Sequence, residues 1–299
     1  MRVAFHPLWP EWGASSRLRV YTLHEELLKL GVKSEIAFDP GADVFVLQKH
    51  RDHSTIERAA KAKFLVYDFD DFEVSDALAA AERAARLMTT DTEGHLRWSL
   101  THRSERIAAG QPTSTPPVAV IADPIDYGIT GPIPLAEGSG ICWFGHPSNF
   151  GTSITQWARM LKDAGLCFAT ISSSPCDGFP NVPWQIESFI RELRQFAVCV
   201  LSHTGADQGK SPNKLITAIT AGVPCVVSDT PEYARVLTEC GLPEFVAHDE
   251  AEMIEGVSLL TCSPALRHAY LKRAQPVIWE RYNPRRIAEI WLETVRERI

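Results

Sequence analysis

The sequence predicts an α/β protein built from two parallel-sheet domains. Three observations carry that expectation. Short β-branched and apolar runs alternate with helix-period segments along the whole chain. The alternation breaks once, in a stretch of linker composition at residues 123–140, and then restarts. The chain has 299 residues, a length that suits two domains of ordinary size.

Each element follows from local pattern. Residues 2–6 are a short apolar strand, and residues 7–16 a loop rich in Trp, Gly and Ser. Residues 17–30 read as a helix with Leu18, Tyr21, Leu27 and Leu28 on or near one face and Gly31 as its stop. Strands are expected at 34–38, 43–47, 64–69, 86–90 and 118–122, and helices at 54–62 and 74–87. After the linker come strands at 141–144, 167–171, 198–201, 225–228 and 245–247. Between them lie helices at 154–164, 183–195, 212–221 and 231–240, and helical segments fill the tail. Short buried strands separated by helices imply parallel sheets with right-handed crossovers. The expected organisation is a Rossmann-like domain at 1–130, a second Rossmann-like domain at 131–280 and a terminal helix at 281–299. The two domains face each other across a cleft that collects the strand ends.

Composition narrows function. Apolar residues make up 45% and charged residues 22%, the balance of a globular chain. The formal charge of −7 argues against broad binding to nucleic acid. No apolar run reaches membrane-span length, and the first ten residues do not read as a signal peptide. A cytoplasmic location is expected, with no transmembrane segment. The seven cysteines are odd in number and lack a C-x-x-C, and Cys142, Cys167, Cys199 and Cys225 lie in strand-like runs, so buried free thiols are expected.

The most informative stretch is 198–232. A strand runs into a polar loop and the loop into a helix, with Ser211 suited to the N-cap, Pro212 to the first turn and Gly222 to the stop. Asn213 and Lys214 then stand beside unpaired backbone amides. A helix start with a lysine is a ready anion site, and Lys210 adds a second cation. The nearby G-A-D-Q-G-K-S is one residue short of a Walker A loop, because Thr204 stands where its first glycine belongs.

The segment Lys210–Asp229, K-S-P-N-K-L-x-x-A-x-x-A-G-V-P-x-V-V-S-D, resembles the donor-binding segment of GT-B-fold glycosyltransferases, the superfamily of glycogen-synthase-like and bacterial lipopolysaccharide enzymes. Ser15–Arg19, V-Y-D-F-D-D at 66–71, A-D-P-I-D-Y at 122–127, the strand and glycine at 141–145 and the terminal helix with Trp291 are similar to other parts of that family. The resemblance implies metal-independent transfer of a sugar, of hexosyl type, from a nucleotide-diphosphate sugar to an unknown acceptor, with no cofactor. It implies that 1–130 is the acceptor-side domain, that 131–280 binds the nucleotide sugar and that the helix at 281–299 crosses back to the first domain, and it implies Lys210, Ser211, Asn213 and Lys214 as phosphate ligands. Two features depart from the family. The paired glutamates of retaining members are replaced by Gly209 and Thr217, and Gly145 is followed by His-Pro-Ser-Asn rather than a basic residue. Stereochemistry and oligomeric state stay open. The alternatives are a nucleotide-sugar epimerase on the same fold and a binding protein without catalysis.

Other candidates come from strand ends. His6, Asp70 and Asp71 are the candidates for the acceptor-side base. Trp184, Thr217, Asp229 and Glu232 are candidates for the donor's base and sugar. Trp9, Trp12, Arg17 and Arg19 are candidates on the acceptor side, with Arg17 or Arg19 a possible ion-pair partner of Asp70 or Asp71. Asp68-Phe69-Asp70 has Asp-x-Asp spacing, but no metal is assigned to it. His50 and His53 lack a third ligand nearby in sequence.

Overall fold

The structure is a computed structural model. It describes every residue except 72–75, 112–114, 127, 177 and 204–208, and only the backbone of 152 and 153. Readings that fall on these residues, including the loop at 205–208, the start of the helix expected at 74 and Tyr127, lie outside the described residues.

The chain forms two compact units. The first comprises Met1–Tyr127, Gly209–Ser211 and Tyr282–Ile299; the second comprises Gly128–Gln208 and Pro212–Arg281. Each holds a six-stranded sheet whose pairings are all parallel.

In the first unit the strands are β1 (Arg2–His6), β2 (Lys33–Ile36), β3 (Val44–Gln48), β4 (Leu65–Asp68), β5 (Leu87–Thr90) and β6 (Val118–Val120), in the order β2-β1-β3-β4-β5-β6. Its helices are α1 (Ala14–Ser16), α2 (Thr22–Lys29), α3 (His53–Ala59), α4 (Asp76–Ala84) and α5 (Glu93–Ala108). The central strands β1, β3, β4 and β5 are buried on both faces, as parallel sheets require, while the edge strands β2 and β6 are partly exposed. The two-residue period sorts their side chains between two cores. Val3, Phe5, Val44, Val46, Val66 and Leu87 pack on Leu23 and Leu27 of α2, and on Ile287, Trp291, Leu292 and Val295 near the chain end. Ala4, Phe45, Leu47, Leu65, Tyr67 and Met88 pack on Ile56, Ala59, Ala77, Leu78 and Ala81.

In the second unit the strands are β7 (Ile141–Phe144), β8 (Phe168–Ser172), β9 (Asn181–Pro183), β10 (Val198–Leu201), β11 (Cys225–Ser228) and β12 (Val246–Ala247), in the order β12-β11-β10-β7-β8-β9. Its helices are α6 (Pro147–Ser153), α7 (Thr155–Asp163), α8 (Phe189–Leu193), α9 (Asn213–Thr220), α10 (Pro231–Glu239), α11 (Glu250–Cys262) and α12 (Pro264–Tyr282). The last helix, α13 (Pro284–Arg296), carries Trp291 and belongs to the first unit.

Several local expectations change. The helix expected at 17–30 opens with a π-helical turn, Arg17–Tyr21, before α2. Residues 183–195 are not one helix. β9 occupies 181–183 at the sheet edge, where a proline costs no ladder bond, and α8 begins only at Phe189. Helix α5 has no counterpart in the sequence reading. Its buried face is the polar series His95, Ser99 and Arg103, spaced four apart, so apolar periodicity could not reveal it. Cys142, Cys199 and Cys225 are buried free thiols, whereas Cys167 is exposed just before β8. No described helix is long and apolar enough to cross a membrane.

Candidate functional site

Ligands of open parallel sheets bind beyond the carboxyl ends of the strands, where the strand order reverses. Each sheet has such a point. In the second unit it lies between β7 and β10, and in the first between β1 and β3.

At the β7/β10 point the chain leaves β7 through Gly145. A β-carbon there would stand 2.8 Å from the Trp143 ring and 2.9 Å from Lys214 Nζ, so the position must be glycine if the lysine is to approach the strand end. The Lys214 ammonium lies 5.0 Å from the centroid of the Trp143 ring, a cation–π placement that aims a long flexible side chain. Lys214 is the second residue of α9. The helix starts one residue later than the sequence implied. Pro212 occupies the cap position with no side-chain bond to the helix amides, and the Ser211 hydroxyl bonds the buried Asp123 instead. Pro212 itself gives α9 no side-chain cap, and the start of α9 carries the positive end of the helix dipole. Ser202 and His203, which follow β10, are both buried. The backbone N–H of His203 donates to Thr230 Oγ1 at 3.3 Å.

The other donor-side candidates in this unit are dispersed. Thr217 is fully buried on α9. Trp184 is half-buried and packs at 6.4 Å on Phe189. Asp229 is exposed and pairs with His248 at 3.1 Å. Glu232 is buried in the first turn of α10, where its charge suits the dipole, and Arg235 binds it at 2.7 Å.

The first unit gathers a denser set of charges. Arg19 is buried. It grips Asp68 with two bonds of 2.7 and 2.6 Å and Asp123 with one of 2.9 Å. Arg17 is also buried and grips Asp126 with bonds of 2.7 and 2.9 Å. Both arginines are therefore fixed inside the fold. The ion pairs expected with Asp70 or Asp71 are made instead with Asp68, Asp123 and Asp126. Asp70 and Asp71 belong to Lys49, whose ammonium lies 2.8 Å from Asp70 and also pairs with Asp71. Lys210 binds Asp71 from the other side at 3.0 Å. Two of the four expected phosphate ligands, Lys210 and Ser211, are thus engaged by carboxylates of the first unit.

Burial and neighbours set the protonation of this cluster. Burial raises Asp123 to about 7; Arg19 opposes the rise, and Asp91 and Asp70 reinforce it. Burial likewise raises Asp70 against the pull of Lys49. Burial would raise Asp71 too, but Lys49 and Lys210 outweigh it and hold this carboxyl below its ordinary value. At the β1/β3 point, His6 stacks on His50 with ring centroids 4.5 Å apart. Burial, the His50 ring and Arg58 lower His6 to about 4, so it is neutral near pH 7. The His50 Nε2–H donates to the Pro7 carbonyl at 3.1 Å.

Lys49 was missed by the sequence reading. Its φ of +59° is the only positive value at a described non-glycine residue, and such outliers collect at functional sites. A lysine directly after an apolar strand was the available signal, but nothing in the sequence marks its backbone. Trp9 and Trp12 are exposed on the loop that follows β1.

No protein-family model matches the sequence, and no curated protein sequence matches it. Solved structures do. A sucrose-phosphate synthase from Thermosynechococcus elongatus superposes with a TM-score of 0.67 at 10% identity, covering 99% of each chain. Anabaena HepE in complex with UDP-glucose gives 0.64 at 12%, over 99% of this chain and 100% of that one. The pneumococcal O-GlcNAc transferase GtfA in complex with UDP and GlcNAc gives 0.56 at 15%, over 85% of this chain. The chain spans 56% of that transferase's length. The fold is therefore that of GT-B glycosyltransferases, with two Rossmann-like domains.

Proposed function

We propose that the chain transfers a glycosyl group from a nucleotide-diphosphate sugar to an acceptor hydroxyl. One observation carries the reading. At the switch point of the second sheet, Lys214 and the start of α9 converge beside a glycine that leaves room for the lysine. Fixed amides and an ammonium at a strand end suit a diphosphate. The fold is shared with HepE, which holds UDP-glucose, and with the pneumococcal transferase, which holds UDP and GlcNAc, so uridine diphosphate sugars are the first donors to try.

In the reaction the bond from the sugar's anomeric carbon to the diphosphate breaks, and the acceptor oxygen bonds that carbon. Asn213 and Lys214 stabilise the charge that grows on the departing diphosphate, without a metal. The acceptor's proton goes to a side-chain base, for which His6 and Asp71 are candidates. His6 is neutral near pH 7 and half-exposed at the end of β1, which suits it better than Asp71, already held by two lysines.

The test is calorimetric titration of UDP into the native chain and a Lys214→Ala variant, with transfer from UDP-glucose followed in EDTA. Affinity weakened about tenfold or more and chelator-resistant transfer are expected. Unchanged UDP binding in the variant overturns the phosphate assignment. Loss of transfer in EDTA overturns metal independence.

A further inference from the structure

The geometry points to Trp9 and Trp12 as a stacking platform for a neutral saccharide, the acceptor of the proposed transfer. Among the described residues these are the only exposed tryptophans, at 48% and 60% exposure. Their ring centroids lie 6.0 Å apart, with the planes tilted by 39°. Exposing two indoles gives up apolar burial that the other tryptophans exploit.

The loop that carries them is built to hold them out. Ser16 Oγ accepts the Trp9 N–H at 3.0 Å and donates to Gln48 Oε1 at 2.8 Å. Gln48 also accepts the Leu8 N–H at 3.3 Å, which ties the loop to the end of β3. Gly13 closes a turn onto the Pro10 carbonyl at 2.9 Å. A β-carbon on Gly13 would stand 2.7 Å from Trp9 Cβ, so only glycine lets the chain fold back under that ring. Arg17, itself clamped by Asp126, donates to the carbonyls of Glu11 at 3.4 Å and Trp12 at 3.3 Å. The rings are thus set before any ligand arrives, which lowers the ordering cost of binding.

Location and charge select the occupant. The loop leaves β1 at the switch point of the first sheet, where ligands of such sheets bind. Flat aromatic faces match the C–H faces of sugar rings. An anionic membrane surface would require exposed cations beside the tryptophans. Residues 7–16 carry none, and their one charged side chain is Glu11. The same charge disfavours an acidic sugar.

The role as acceptor site rests on the transferase reading; the binding itself does not. The experiment therefore omits nucleotide. Cellobiose, maltose and N,N′-diacetylchitobiose are titrated into the full chain by saturation-transfer NMR and calorimetry. The native protein, a Trp9→Ala/Trp12→Ala variant and a Trp9→Phe/Trp12→Phe variant are compared, with phosphatidylglycerol vesicles as a separate arm. The native chain is expected to bind at least one disaccharide. The alanine pair should bind about tenfold more weakly or worse, and the phenylalanine pair should recover most of the loss. Both rings are exposed, so the melting temperature should barely move. Absence of binding to all three sugars, equal binding by the alanine pair, or binding to vesicles instead of sugars each overturns the platform. If sugars bind there but no glycosyl group is ever transferred, the platform stands and the transferase reading fails.

Discussion

The strand ends of the two sheets solve opposite problems. Those of the first unit are crowded with charge that the protein neutralises for itself: Arg17 on Asp126, Arg19 on Asp68 and Asp123, and Lys49 and Lys210 on Asp70 and Asp71. Those of the second unit present a lysine laid over an indole, a glycine and the start of a helix. A self-paired cluster fixes geometry, because a buried carboxylate that loses its partner becomes very costly. A lysine at a helix start adds to the positive end of the helix dipole. The first arrangement therefore suits shaping a surface, and the second suits holding an anion.

The sharpest way to break this contrast is to remove the arginine at the centre of the first cluster. Arg19→Met leaves Asp68 and Asp123 buried without their main cation. We expect a loss of about 3–5 kcal/mol in urea unfolding. Lys214→Ala should leave stability within about 1 kcal/mol of the native chain while UDP affinity falls about tenfold or more. If Arg19→Met unfolds no more readily than Lys214→Ala, the two strand-end regions do not differ as described.

A subtler effect is the pH dependence of stability, where His6 and Asp123 pull in opposite directions. His6 falls from 6.5 in the unfolded chain to about 4 in the fold. Between those values the unfolded chain binds more protons, so this group's contribution is lost as pH falls from 6.5 to 4. Asp123 rises from 3.8 to about 7. Here the folded chain binds more protons, so stability drains as pH rises from 3.8 through 7. Urea midpoints measured across this range should give a flatter acid limb in His6→Gln and a flatter neutral limb in Asp123→Asn. Parallel curves for the native chain and both variants would remove the protonation argument.

Much of this contrast was readable in advance, and the unread part has physical causes. Two series of short apolar strands announced two parallel sheets, because strands buried on both faces carry no polar alternation to blur them. The lysine-bearing helix start at 213–214 was legible because cap, proline and cation fall within five residues. The first cluster was not legible. Arg19, Asp68 and Asp123 are separated by as many as 104 residues and meet only through the strand order. Local sequence cannot tell a buried arginine from a solvated one. The fate of Ser211 shows the same limit: a good cap by its neighbours, it is taken by a carboxylate from far along the chain.

The smallest expected effect isolates backbone from charge at Lys49. Its left-handed conformation costs an L-residue about 1 kcal/mol or slightly more, while glycine adopts it freely. The ammonium in turn balances Asp70 and Asp71. Lys49→Ala loses the charge and keeps the strain; Lys49→Gly loses the charge and relieves the strain. The glycine variant should therefore be the more stable of the two by about 1 kcal/mol in urea unfolding, with the larger entropy of an unfolded glycine trimming the gain. Both should fall below the native chain, because two partly buried carboxylates lose their shared cation. A glycine variant as stable as the native protein would mean that the ion pairs contribute nothing beyond holding that backbone. The self-neutralised cluster would then owe its rigidity to Arg17, Arg19 and Lys210.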